Sequence, residues 1–499
     1  MRPLSQIPPR TLALAVATVL AGLVAALSLA GPFASAPRSS DVLTVAGSGA
    51  GPPRLQDRQG RTVLLRGVAV TGLIRYAGDY AENPPGRGAD FAEIAALGLD
   101  FVRLPVSWSA IEPSPGVIDA GYVAAVAGVV RAAERHGLRV VVDMHMDRYN
   151  ARLAPGNEAD GAPAWATLVP STCPSAPSPD DCARAAWESF WTQRQVAGRP
   201  LQQRYIQALL AISRRLRGDP GLAGLELMNN PSSGGEPSSQ FETSQLWPFY
   251  RRVIAALRSD GERLPLWIDR AASTEMRDTE TAGLRGGPSG DGNLVLAPHD
   301  YVGVFSKPDW PAGGVARLAG WYRDAVGEAT AQRMAIVVGE WGAPAGGIWD
   351  ELLSAKLSLQ NAGAIGSSFW MWKQRPGFYG WNLVNLDGGL RPDTKRAQLL
   401  SAPYPQAVPG RIVSCAYAGG RLTVQFNGDR AGTALLWSGT QVLASGAPGV
   451  PAPLTHATVD GRAVAVRLSP RHFATGSVAL AGDVVSVAVP AGHHTLRLS

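Results

Sequence analysis

Leu225-Glu226-Leu227-Met228-Asn229-Asn230-Pro231 reads as a short buried strand that ends in a polar pair and a proline. An apolar run of this kind suits a strand covered on both faces, and a proline cannot continue the ladder. Working outward, the neighbouring segments alternate between two patterns. Leu138 to Val142 is apolar and mostly β-branched apart from Arg139, and Leu201 to Arg217 has helical spacing. Strands are also expected at Val63–Val68, Leu99–Leu104, Leu264–Ile268, Leu294–Ala297, Ala335–Gly339 and Ala364–Trp370. Helical patterns fill the intervals at Phe91–Leu97, Tyr122–Glu134 and Gln245–Arg258. Eight such units predict an α/β fold of the (β/α)8 barrel type. The other parallel architecture, an open doubly wound sheet, lacks a glycine-rich phosphate turn after the first strand.

A barrel places its chemistry at the carboxyl ends of its strands. Strand two carries Arg103, and strand three is followed by Asp143-Met144-His145-Met146-Asp147. Strand four ends in Asn229 and Asn230, and strand six in His299-Asp300-Tyr301. Glu340 follows strand seven, and Trp370, Trp372 and Lys373 follow strand eight. One such residue is commonly a structural hydrogen-bonding group. Six strand ends carrying them in order are hard to attribute to packing.

This order resembles glycoside hydrolase family 5. The tracts Val142–Asp147, Leu227–Pro231, Val338–Gly342 and Phe369–Gln374 look most like its endoglycoceramidases, as does Ala402-Pro403-Tyr404-Pro405-Gln406 beyond the barrel. The resemblance covers about residues 55 to 499. It implies retaining hydrolysis, in which two carboxyl groups ~5 Å apart act as nucleophile and acid/base. Carried over residue by residue, Glu340 is the expected nucleophile, with Tyr301 and Arg103 holding its carboxylate. Asn229 is expected to meet the sugar hydroxyl beside the anomeric carbon, and His145 and His299 to hold hydroxyls and the acid's side chain. Asp147 is counted among the substrate-binding groups. Trp370 is the expected floor under the sugar ring, with Trp372 as the alternative.

The chain departs from this pattern at Asn230, where the family carries the acid/base glutamate. An amide neither protonates a leaving alkoxide nor activates water, and general acid/base catalysis typically contributes ~10²–10⁴-fold. Glu226 lies four residues back along an extended strand, ~13 Å away, and does not replace the acid. Glu236 and Glu242, in the following loop, are candidate substitutes. A second departure is Ala69, where the first strand of the family often carries a polar residue. Two classes of function stay open. One is a retaining β-glycosidase acting on a glycolipid or similar β-glycoside, impaired, with a substitute acid, or tolerant of activated glycosyl donors whose good leaving group needs no acid. The other is a non-catalytic protein that binds a glycan or glycolipid.

The whole chain of 499 residues suits a barrel plus a second domain. A 45% hydrophobic and 17% charged composition is that of a globular protein. The net charge of +6 comes from scattered arginines, which argues against a nucleic-acid partner. Thr11 to Ala30 is a charge-free apolar run between Arg10 and a small-residue segment. It makes residues 1–30 a signal peptide or an uncleaved signal anchor, so the body lies outside the cytoplasm. Residues 31–53 read as a linker, 54–404 as the barrel and 405–499 as a β-sandwich of short alternating strands separated by turns such as Asn427-Gly428. Cys173 and Cys182 suit a local disulfide, Cys415 is expected to be buried, and the spacing fits no zinc site. No metal or cofactor is expected. The protein is expected to be a monomer that meets membranes only through its N-terminal segment or a lipid substrate.

Overall fold

The computed structural model describes residues 42–47, 51–74, 87–146, 149–150, 153, 161–171, 173, 179–234, 238–272, 290–305, 314–374, 380–385, 391–392, 394–444, 453–475 and 478–499. The N-terminal apolar segment, Asp147 and Glu236 fall outside these residues.

Eight parallel strands close into a barrel. In chain order they are Arg66–Ala69, Phe101–Ser107, Arg139–His145, Leu222–Glu226, Leu266–Ile268, Leu294–Leu296, Ala335–Trp341 and Gly366–Phe369. The eighth pairs with the first, and a two-residue extension of the sixth, His299–Asp300, pairs with the seventh. Strand periodicity explains what each face does. On strand two, Val102 and Leu104 pack outward against the helices, while Phe101 joins the cluster that fills the barrel floor. Arg103, two residues above Phe101, therefore points into the same interior. The helices match this outer layer. Helix Ala120–Glu134 begins where the Asp119 side chain accepts a hydrogen bond from the Tyr122 N–H at 2.9 Å. It buries Val123, Val126, Ala127, Val130 and Ala133, a 3.6-residue stripe.

The floor of the barrel is closed by residues the sequence reading placed elsewhere. Thr44–Ala46, read as linker, forms a strand that pairs with Arg54–Gln56, which pairs in turn with Arg61–Val63. Arg61–Val63 then pairs with Tyr404–Pro409 of the C-terminal domain. The run Val63–Val68 is thus two strands in two sheets, changing sheet at Leu64-Leu65. Little in the sequence marks such a change, because Val63, Leu64, Leu65 and Val68 are all buried apolar residues on either side of it. Leu43, Leu55 and Val63 plug the barrel beneath Phe101, Val141, Trp267 and Val337.

The C-terminal strands form two sheets over one core. The first holds the N-terminal strands with Tyr404–Pro409, Gly432–Trp437, Gln441–Ala444, Val466–Thr475 and Val478–Val489. The second holds Arg411–Ala418, Arg421–Gly428, Ala457–Val459, Arg462–Val464 and Gly492–Leu498. Val424, Phe426, Leu436, Val485 and Leu496 fill the space between them, and Cys415 is buried there with a free thiol. Cys173 and Cys182 are joined in a disulfide. Among the described residues, no helix is long and apolar enough to cross a membrane.

Candidate active site

Arg103 is the centre of the carboxyl-end cluster. It is fully buried, and a guanidinium offers five N–H donors in a fixed fork. Nε and Nη2 donate to the two oxygens of Glu226, each at 2.7 Å. Nη2 also donates to Asn229 Oδ1 at 2.8 Å and lies 3.1 Å from Asp143 Oδ2. Nη1 donates to Glu340 Oε2 at 3.0 Å. Strand register delivers these partners, since Asp143 lies opposite Glu226 and His299 opposite Glu340. Burial opposes the Arg103 charge, but Asp143, Glu226 and Glu340 outweigh it and hold the guanidinium protonated.

Glu340 is clasped from both sides, with Arg103 on one oxygen and the Tyr301 hydroxyl donating to the other. Its carboxyl is raised above the ordinary glutamate range by burial, against the pull of Arg103, His145 and Tyr301. The glycines flanking it have a steric reason. A Cβ on Gly339 would lie 2.6 Å from the Ala297 carbonyl oxygen, and one on Gly342 would lie 2.6 Å from that of Trp370. The strands on either side of Glu340 can close in only because neither residue has a side chain.

His145 shares Asp143 through Nδ1 at 2.8 Å and stacks its ring on Trp370 with centroids 5.3 Å apart. His299 lies 3.4 Å from Asp269 and 4.0 Å from Glu226 through Nε2. Burial, then Arg103 and His145, push His299 well below the usual histidine range, so its ring is neutral. Asn229 is held at both ends of its amide, by Arg103 and by the Met146 carbonyl, to which Nδ2 donates at 2.8 Å.

Asn230 follows in a left-handed conformation, φ 45°, which asparagine tolerates better than most residues. Its backbone N–H donates to Asp269 Oδ2 at 2.8 Å, and its side-chain Oδ1 is buried without a hydrogen-bond partner. Asp269 was not expected. It follows strand five, and its mark in the sequence is the polar pair Asp269-Arg270 directly after Leu266–Ile268. Asp143 had a similar signal, standing two residues before His145 on the same face.

Two expectations are corrected. Trp372 is not an alternative sugar floor. It is buried, with Nε1 3.4 Å from Asp90 on helix Gly88–Ala96; both tryptophans lie beyond the end of strand Gly366–Phe369, where the two-residue alternation of a strand no longer sets side-chain direction. Glu242 does not face the cleft. Its carboxylate accepts from the Ala271 N–H at 3.2 Å and pairs with Arg270 at 3.5 Å. Arg270 also pairs with Glu328 of the outer helix Gly314–Gln332 at 3.0 Å, so it points away from the barrel interior that Asp269 faces. Glu226 likewise offers no free carboxyl, since Arg103 takes both oxygens.

The cellulase family model, glycosyl hydrolase family 5, matches residues 57–376. Endoglycoceramidase I of Rhodococcus hoagii is 28% identical over 265 residues, spanning 50% of this chain and 51% of the relative. The chain thus spans about half the length of that curated relative. A solved endogalactoceramidase is 25% identical with a TM-score of 0.71, covering 92% of this chain and 100% of its own. Endo-glycoceramidase II from Rhodococcus sp., solved as a lactosyl-enzyme intermediate, shares the fold at a TM-score of 0.70 and 22% identity, over 90% of this chain and 99% of its own.

Proposed function

This chain belongs to glycosyl hydrolase family 5, and from that premise we propose that it is a retaining β-glycosidase that forms a glycosyl-enzyme on Glu340. The observation that carries the reading is the two-sided clasp on Glu340. Arg103 at 3.0 Å and the Tyr301 hydroxyl orient a buried carboxylate at the rim where barrels of this kind react. The substrate class is a glycolipid or similar β-glycoside, in line with relatives named for ceramide glycosides. The residue in the acid/base position is Asn230, so cleavage of an alcohol aglycone is impaired. Trp370 serves as the sugar floor, its ring half-buried over His145.

The same reading makes the protein monomeric and exported, with residues 1–30 cleaved off or kept as an anchor. The Cys173–Cys182 disulfide supports an oxidising compartment. The test of the catalytic reading is covalent trapping. Fluorinated dinitrophenyl glycosides of several sugars should label the protein with one glycosyl group per chain, on the peptide that carries Glu340. Glu340→Gln should abolish the label. A second reading, a glycan binder without chemistry, is favoured by Asn230 alone. It predicts calorimetric binding of the same sugars with no label.

A further inference from the structure

Every carboxyl group near Glu340 among the described residues is already committed. Glu226 is bound by two Arg103 nitrogens, and Asp143 by Arg103 and His145. Asp269 accepts from the backbone N–H groups of Asn230 and Arg270, both at 2.8 Å. His299 is a neutral ring in the interior. At residue 230 itself there is an amide whose oxygen is buried without a partner. The nucleophile's clasp is intact while, among the described residues, no uncommitted carboxyl stands ready to donate a proton, and these two facts select a substrate chemistry.

We propose that this chain acts on glycosides whose aglycone leaves as a stable anion, a phenolate, thiolate, carboxylate or phosphate, and passes the sugar to an anionic acceptor. This rests on the retaining reading given above. In the first step a Glu340 oxygen bonds to the anomeric carbon as the bond from that carbon to the aglycone breaks. The electron pair leaves with the aglycone, and no proton is needed. In the second step the acceptor anion bonds to the anomeric carbon and the Glu340 carboxylate departs with its electron pair. Again no proton moves. An alcohol aglycone would have to leave as an unprotonated alkoxide, and a water acceptor would have to lose a proton to a base that residue 230 does not supply. The amide slows those two routes by ~10²–10⁴-fold and leaves the anionic ones at full rate.

The experiment uses the full chain and one sugar, chosen by the trapping assay, attached to dinitrophenol, nitrophenol, phenol and methanol. Matched acyl, thio and phosphate donors identify which anionic source is preferred. The dinitrophenyl glycoside should turn over at least ~100-fold faster than the methyl glycoside, the lower bound for a missing general acid. Added azide should accelerate turnover and yield the β-glycosyl azide. Asn230→Glu should raise cleavage of the methyl glycoside by ~10²–10⁴-fold and remove the azide effect. Cleavage of the methyl glycoside by the unaltered protein within tenfold of the dinitrophenyl one overturns the proposal, because another residue then donates the proton. Absence of an azide adduct during rapid turnover overturns it as well, and does not depend on the variant folding. Failure of any donor to label Glu340 overturns the retaining reading itself, which separates the two failures.

Discussion

Tyr301→Phe isolates one interaction at Glu340. The hydroxyl donates to a Glu340 oxygen, while the ring rests against Phe305 and Trp381 at centroid distances of 5.2 and 5.8 Å. The substitution keeps those ring contacts and removes only the donor. A hydrogen bond to a charged group contributes about 1.5–3 kcal/mol, and one pKa unit corresponds to about 1.4 kcal/mol. Loss of the donor therefore raises the Glu340 pKa by about 1–2 units. The ionised carboxylate is the attacking form, so activity is present above this pKa and lost as pH falls through it. Burial already places the midpoint above the ordinary value of 4.5. The assay is kcat/KM on a dinitrophenyl glycoside against pH. The unaltered protein should show one ascending limb and a plateau, because the amide at residue 230 has no proton to lose at higher pH. Tyr301→Phe should move that limb upward by about 1–2 units at similar thermal stability. An unmoved limb would refute the assignment of the limb to Glu340 or the importance of the Tyr301 contact.

Three further outcomes follow from the same geometry. Arg103→Met leaves Glu226, Asp143 and Glu340 without their common cation and should lower unfolding free energy by about 3–5 kcal/mol in a denaturant titration. Trp370→Ala should lower kcat/KM on a dinitrophenyl glycoside about tenfold, about 1.4 kcal/mol, with little change in melting temperature; Trp372→Phe should do the reverse, because Trp372 is buried against helix Gly88–Ala96. Glu242→Gln should leave the ratio of aryl to alkyl glycoside cleavage unchanged, since that carboxylate is turned toward Arg270; a fall in alkyl cleavage alone would show that it donates the proton after all.

Much of the barrel was legible because its strands are buried on both faces, and such strands read as apolar runs punctuated by glycine and helical stripes. The site residues at strand ends were legible for a related reason. A charge or imidazole at the end of an apolar strand has few structural explanations, and six of them in order have fewer. What was not legible depended on contacts between distant segments. Nothing in Thr44–Ala46 shows that it will find Arg54–Gln56 and close the barrel floor. Nothing local to Glu226 shows that Arg103, 123 positions away, will take both its oxygens. Trp370 and Trp372 look equivalent in sequence, and only the direction of each side chain separates the cleft from the outer layer.

Asn230 raises a question that the catalytic reading must answer, since its backbone gives a second reason for asparagine. With φ at 45° it occupies the left-handed region, where asparagine is enriched several-fold over most other residues. An entirely structural account would hold that this turn, pinned by Asp269 at 2.8 Å, selected asparagine for its backbone and lost the acid incidentally. That account and the chemical one differ in what glutamate does at this position. If backbone conformation alone were at stake, Asn230→Glu would cost about 1–2 kcal/mol of stability, the penalty for a left-handed residue, and leave the leaving-group dependence as it was. If the amide is what selects anionic aglycones, the same variant flattens the dependence on leaving group whatever it does to stability. The slope of rate against aglycone acidity, normalised to folded protein, therefore separates a turn residue from a substrate filter.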